Sequence, residues 1–167
     1  MTNELVFNSD YDAAQVFVMR VFPCEVTTLW DFFTRAELLD QWWAPKPWKC
    51  ETTSLDFKEG GRWHYAMVSP DGERHFAGAK YHEINWHRSF DWTDYFANEN
   101  GEIDQNLPEV KWLVGFTGVE EGTKLTINIH FANEGEMTKL LEMGFEQGFS
   151  AALSQLAELL YQTDSRQ

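Results

Sequence analysis

A single change of period constrains this chain more than any motif in it. From Lys49 to Phe131 apolar side chains recur at every second residue, and from Asn133 to about Tyr161 they recur at three and four, so a long extended region hands over to one helix. Turn signals at Glu59-Gly60-Gly61, Ser69-Pro70-Asp71-Gly72, Asn85-Trp86 and Glu120-Glu121-Gly122 divide the extended region into strands near 49–57, 62–68, 73–84, 87–96, 109–118 and 123–131. Turns this tight join antiparallel neighbours. The resulting sheet has an apolar face to cover, and the terminal helix is the only element long enough to cover it.

That helix carries a broad apolar stripe through Met137, Leu140, Leu141, Gly144, Phe145, Gly148, Phe149, Ala152, Leu153, Leu156 and Leu160. Asn133 followed by Glu136 is a capping-box pattern that marks its start. Gly144 and Gly148 sit on the stripe, where each costs a helix interior about 1 kcal/mol relative to Ala. Either the sheet packs close at these points or a cavity lies beneath them.

Ahead of the sheet, Gln15 to Phe22 is a run of β-formers ended by Pro23. Val26, Leu29, Trp30 and Phe33 then fall at helical spacing, and Thr34 with Glu37 forms a second capping box before Leu38, Leu39, Trp42 and Trp43. Pro45 and Pro47 stop that second helix. The expected architecture is α+β: one strand, two short helices, a curved antiparallel sheet of six to seven strands, and a long C-terminal helix. A chain of 167 residues fits a single domain, with its core at about 14–161 and short tails. The longest connection, Ala97 to Pro108, is polar and is expected to be the most mobile segment.

Composition narrows the function. The formal net charge is -14, which opposes phosphate backbones and anionic lipid surfaces, so nucleic acid is not an expected partner and neither is insertion into a membrane. Residues Met1 to Asp12 are polar and acidic, and no apolar run approaches a spanning length, so a cytoplasmic location is expected. Cys24 and Cys50 show no metal-ligand spacing, and both are expected to be reduced. The eight Trp and 13 Phe require an aromatic-rich interior.

Arg20-Val21-Phe22-Pro23, Trp30, Phe33, Leu38 to Trp43 with Trp42-Trp43-Ala44-Pro45, Asp56, Gly60-Gly61-Arg62-Trp63 and Pro70-Asp71-Gly72 together resemble the START-like (SRPBCC) superfamily. The resemblance runs from about residue 14 to 160, and its nearest branch is the domain related to the activator of the heat-shock-protein-90 ATPase. It implies a helix-grip fold, in which a curved antiparallel sheet grips a C-terminal helix over a cavity. Members bind lipids, polyketides or other apolar molecules, some catalyse cyclisations, and some act on protein partners. The branch shares no catalytic set that carries over to these positions. Its domains often pair, and an open meander leaves edge strands for a second copy, so a homodimer is expected.

Trp63, Tyr65 and Met67 alternate on one expected strand, Phe90, Trp92, Asp94 and Phe96 on another, and Trp112, Val114 and Phe116 on a third. Some of these form core, but Trp and Tyr carry polar tips that need partners, and their density fits a lined pocket. The candidate ligand-binding residues are Trp43, Trp63, Tyr65, Met67, Phe76, Trp92, Asp94, Trp112, Phe116, Phe145, Gly148 and Phe149. Asp94 is the odd member, since a carboxyl on that face must be paired, protonated or near the pocket mouth. Asp94 with Tyr65 is therefore the first pair to test for acid–base chemistry. His64, His75, His82, His87 and His130 are too scattered for four-coordinate geometry, so no metal or other cofactor is expected. Gly148-Phe149-Ser150-Ala151 looks like a nucleophile elbow but falls inside a helix, away from the strand-to-helix turn that exposes such a serine.

Three functions follow from this reading. The first is binding of an apolar small molecule, acyl, lipid or aromatic, between sheet and helix. The second is a protein-interaction module that regulates a chaperone or another ATPase, with the acidic surface steering the encounter. The third is a polyketide cyclase-like enzyme, which would need a convergent acid–base pair.

Overall fold

A computed structural model describes residues 4–165, with side chains in the last helix described as far as 162. Met1 to Asn3, part of the expected N-terminal tail, and the end of the C-terminal tail lie outside the described residues. The elements run β1 (Val6–Asp10), β2 (Gln15–Phe22), α1 (Val26–Thr34), α2 (Ala36–Leu39), β3 (Lys49–Leu55), β4 (Arg62–Val68), β5 (Arg74–Asn85), β6 (Ser89–Phe96), β7 (Val110–Val119), β8 (Gly122–His130), α3 (Glu134–Glu142) and α4 (Phe145–Ser165). All eight strands form one antiparallel sheet in the order β1-β2-β8-β7-β6-β5-β4-β3. The meander β3 to β8 matches the turn signals, and β2 closes onto β8 with Val16 opposite Ile129 and Val18 opposite Ile127.

Three expectations are corrected. The sheet has eight strands rather than six or seven, because Val6–Asp10 pairs with β2 where a polar tail was expected. The segment has too few apolar positions to show a period, yet its Phe7 ring meets Phe145 at 6.2 Å, which anchors it. The C-terminal helix is two helices, not one. Gly144 has φ +91°, a backbone region that suits glycine, and its N–H donates to the Leu141 carbonyl at 3.0 Å while Met143 N–H donates to that of Leu140. Gly144 therefore ends α3 as a C-terminal glycine does, and of the two stripe glycines Gly148 alone lies inside a helix. The start of α3 follows the capping pattern, with the Asn133 side chain accepting from Glu136 N–H at 2.8 Å.

The capping box at Thr34 does not form. The Thr34 hydroxyl donates back to the Trp30 carbonyl at 2.9 Å, so it finishes α1, and α2 starts from Arg35 with no side-chain cap. The second helix consequently covers only Ala36–Leu39, and Trp42 and Trp43 follow in a turn. The connection 97–108 carries hydrogen bonds of its own. Asn98 Oδ1 accepts from the N–H groups of Asn100 and Glu102, Asp104 N–H donates to the Phe96 carbonyl, and Lys139 Nζ donates to the Asn106 carbonyl from α3.

The core lies between the concave sheet face and the helices. Val16, Val18, Trp92, Trp112, Val114, Leu125, Ile127 and Ile129 from the sheet meet Leu29, Trp30 and Phe33 of α1 and Ala152, Leu153, Leu156 and Leu160 of α4, all buried. The Gly60-Gly61 pair has a backbone reason: a Cβ at Gly61 would run into the Asp56 carbonyl. That contact lets Gly60 and Gly61 exchange hydrogen bonds with Tyr81 and seat the hairpin against β5. No helix among the described residues is long and apolar enough to cross a membrane.

Candidate functional site

The concave face is longer than the core that fills it. Where α3 stops and α4 begins, the helix pair leaves a pocket of about 270 Å³. Tyr65 and Met67 reach it from β4, His75, Phe76 and Ala77 from β5, Asp94, Tyr95 and Phe96 from β6, and Trp112 from β7. Trp43 and Pro45 enter from the connection after α2, and Leu140, Met143, Gly144, Phe145, Gly148 and Phe149 close it from the helices. An engineered apolar cavity of about 150 Å³ holds benzene, so this pocket has room for one or two fused rings or a short acyl chain.

Trp43 is the hub of the wall. Its ring meets those of Trp63, Trp92, Trp112 and Phe149 at 5.3 to 6.0 Å, and its Nε1–H donates to the Tyr65 hydroxyl at 3.0 Å. Trp112 in turn meets Phe149 at 5.2 Å and Phe145 at 5.9 Å, edge to face. These contacts fix large apolar rings in place around the opening. Gln155 fixes the remaining wall. Its Nε2 donates to the carbonyls of Trp42 and Ala44, and its Oε1 accepts from Lys46 N–H at 2.7 Å, which clips the segment carrying Trp43 and Pro45 onto α4. A Cβ at Gly148 would lie 3.9 Å from Pro45, so the glycine permits this approach without being forced by a clash.

Tyr65 and Asp94 are the polar side chains that stand among the aromatic walls, with His75 and Tyr95 also on the lining. Tyr65 spends its oxygen lone pair on Trp43 and keeps its own proton to donate. Burial, followed by the nearby Asp94 carboxylate, pushes its pKa up, so it stays a phenol. Burial also pushes Asp94 up to about 8. The Trp112 indole N–H approaches closely enough to favour the charged form somewhat, but it does not reach full hydrogen-bond geometry and offsets little of the desolvation. A carboxyl of that kind exchanges its proton near neutrality. Tyr65, held as a phenol, faces the same space as a hydrogen-bond donor.

Nine of the twelve candidate residues lie together on the pocket: Trp43, Tyr65, Met67, Phe76, Asp94, Trp112, Phe145, Gly148 and Phe149. Trp63, Trp92 and Phe116 do not line it. Trp63 stacks on Tyr65 at 4.0 Å with its Nε1–H on Thr52 Oγ1, Trp92 lies behind Trp43 and Trp112, and Phe116 packs on Trp30 and Phe33 of α1. They share the face but sit where helices already fill it. Leu140, Met143, Pro45, His75, Ala77, Tyr95, Phe96 and Gly144 are additions to the expected set. Reading Gly144 as a helix stop would have pointed to the first two. Among the described residues no group of His, Cys, Asp and Glu side chains is arranged to hold a metal ion, and Ser150 stands within α4.

A family model described as "Activator of Hsp90 ATPase homolog 1-like protein" matches residues 23–161. A solution structure of a protein from Arthrobacter aurescens is 27% identical, covers 94% of this chain and 91% of its own, and superposes with a TM-score of 0.88. A crystal structure of a protein from Mycobacterium smegmatis is 26% identical over 94% of this chain and 97% of its own, with a TM-score of 0.86. The AHSA1 protein from Silicibacter pomeroyi shares the fold at 20% identity and a TM-score of 0.73, over 90% of this chain and 99% of its own. Among curated proteins, none matches.

Proposed function

Starting from the fact that the chain belongs to the activator of Hsp90 ATPase homolog 1-like family, we propose that it binds an apolar small molecule in the pocket at the α3–α4 junction. The observation that carries this reading is the pocket's lining: Trp43, Trp112, Phe145, Phe149 and Met67 supply its walls, with Asp94 and Tyr65 as its inward polar points. Apolar walls with a few placed polar groups are what a ligand site needs to gain both affinity and orientation.

The test is a titration with propylbenzene, followed by calorimetry and Trp fluorescence, on the native chain and on Gly148→Leu. The native chain is expected to bind saturably, and the variant, whose side chain enters the pocket, is expected to fold and to lose that binding. Absence of saturable binding of any apolar probe to the native chain, neutral or charged, would overturn the proposal. Mass spectrometry of the freshly purified chain under native conditions would then identify any resident molecule.

The family's own description favours a second reading, a module that engages a basic patch on a protein partner by way of its net charge of -14. Such an association weakens steeply with added salt, whereas entry of an apolar molecule into the pocket does not.

A further inference from the structure

We infer that the ligand of this pocket carries a basic amine, with its ammonium group on Asp94 and its hydrocarbon against the aromatic walls. The inference rests on the pocket reading above and gives that ligand a chemical class.

The geometry lacks one partner. Asp94 lies half-buried on the cavity, and the nearest donor to its carboxyl, the Trp112 indole N–H, does not reach hydrogen-bond geometry. The titratable side chains around the pocket are Tyr65 on β4, His75 on β5 and Tyr95 beside Asp94 on β6, and β7 offers only the Trp112 indole. The helices contribute no charged side chain to the lining, and no Lys or Arg is present there. His75 is engaged at the rim with Glu73 at 3.1 Å. To ionise in such a place the carboxyl needs a counter-ion, and none of the described residues lining the pocket provides one.

A ligand ammonium would provide it. The faces of Trp43, Trp112 and Tyr65 attract a cation as well as a hydrocarbon, and their rings are already fixed at the wall. A neutral hydrocarbon would strip the carboxyl of water and give nothing in return. An anionic ligand would meet Asp94 at close range inside a chain whose net charge is -14. The proton balance follows. Burial alone keeps a proton on Asp94 at neutral pH, so an ammonium that docks on the carboxylate displaces that proton to solution while keeping its own positive charge.

The experiment uses 2-phenylethylamine, the near-isosteric propylbenzene and the anion phenylacetate, titrated calorimetrically into the full chain near pH 7 in two buffers of different ionisation enthalpy. The amine is expected to bind at least about tenfold more tightly than propylbenzene, phenylacetate least, and amine binding is expected to release close to one proton. Asp94→Asn is expected to bring the amine down to the affinity of propylbenzene and to abolish the proton release, while propylbenzene binds the variant as well as or better than the native chain. Equal binding of amine and propylbenzene, or amine binding without proton release, would overturn the amine while leaving the pocket in place. Failure of all three probes would overturn both.

Discussion

Replacing Asp94 by Asn measures what it costs to keep a carboxyl in this pocket, independently of any ligand. The side chain has a pKa of about 8 in the folded chain against an ordinary 3.8. Between those values the folded state holds a proton that the unfolded state has released, so stability falls as the pH rises through the window. Each unit of pH removes up to about 1.4 kcal/mol. The interval from the ordinary value to neutrality is a little over three units, so the native chain at about pH 7 forgoes up to about 4 kcal/mol relative to its stability at acid pH. Above the folded-state pKa both states are ionised and the loss stops growing. Asn has no proton to lose. The variant is therefore expected to gain on the native chain steadily from acid to neutral pH and to level off just above pH 8. Urea denaturation of both proteins across that range gives the comparison, and taking their difference cancels the pH response of every other acidic group. Two stability curves that run parallel would refute the argument, because they would mean that Asp94 titrates alike in the folded and unfolded chain.

Gly144→Ala and Gly148→Ala are expected to change stability in opposite directions. At Gly144 the backbone φ of +91° penalises any Cβ by about 1 kcal/mol or more, whereas at Gly148 a Cβ makes only an ordinary contact with Pro45 and Ala recovers up to about 1 kcal/mol of helix propensity; thermal melts of the two variants decide, and equal shifts would mean that α3 and α4 are one helix. Gln155→Leu strands the Lys46 N–H and the carbonyls of Trp42 and Ala44 and is expected to cost about 2–3 kcal/mol and to expose the segment around Pro45 to proteolysis. A change below about 0.5 kcal/mol, the scale of a surface substitution, would remove the clip from the account of the site.

The sheet was legible because each of its strands from Lys49 onward writes its two faces into alternate residues, and because Gly, Pro and Asn mark the turns between them. The pocket residues on β4, β6 and β7 inherit that legibility. Which of them face space and which face another side chain is a different kind of information. Trp92 and Trp112 are directly opposite each other in register and read identically as sequence, yet only Trp112 lines the pocket, because helix placement and not strand period decides it. Gln155 left no signal at all, since a single amide on the flank of an apolar stripe looks like any surface residue until its three partners, all more than a hundred positions away, are brought to it. The strand Val6–Asp10 has too few apolar positions to show a period, and the Thr34 box does not form because a threonine hydroxyl can close the turn behind it as easily as open the one ahead.

The break at Gly144 divides the work of the pocket unevenly between its two sides. Trp43, Trp112 and Phe149 belong both to the wall and to the buried core, so altering them disturbs folding. Leu140, Met143 and Phe145 flank the break, and none of the three is fully buried. Substitution at Leu140 or Met143 can therefore reshape the pocket, while Phe145, which also holds Phe7 of β1, ties its side of the break to the sheet.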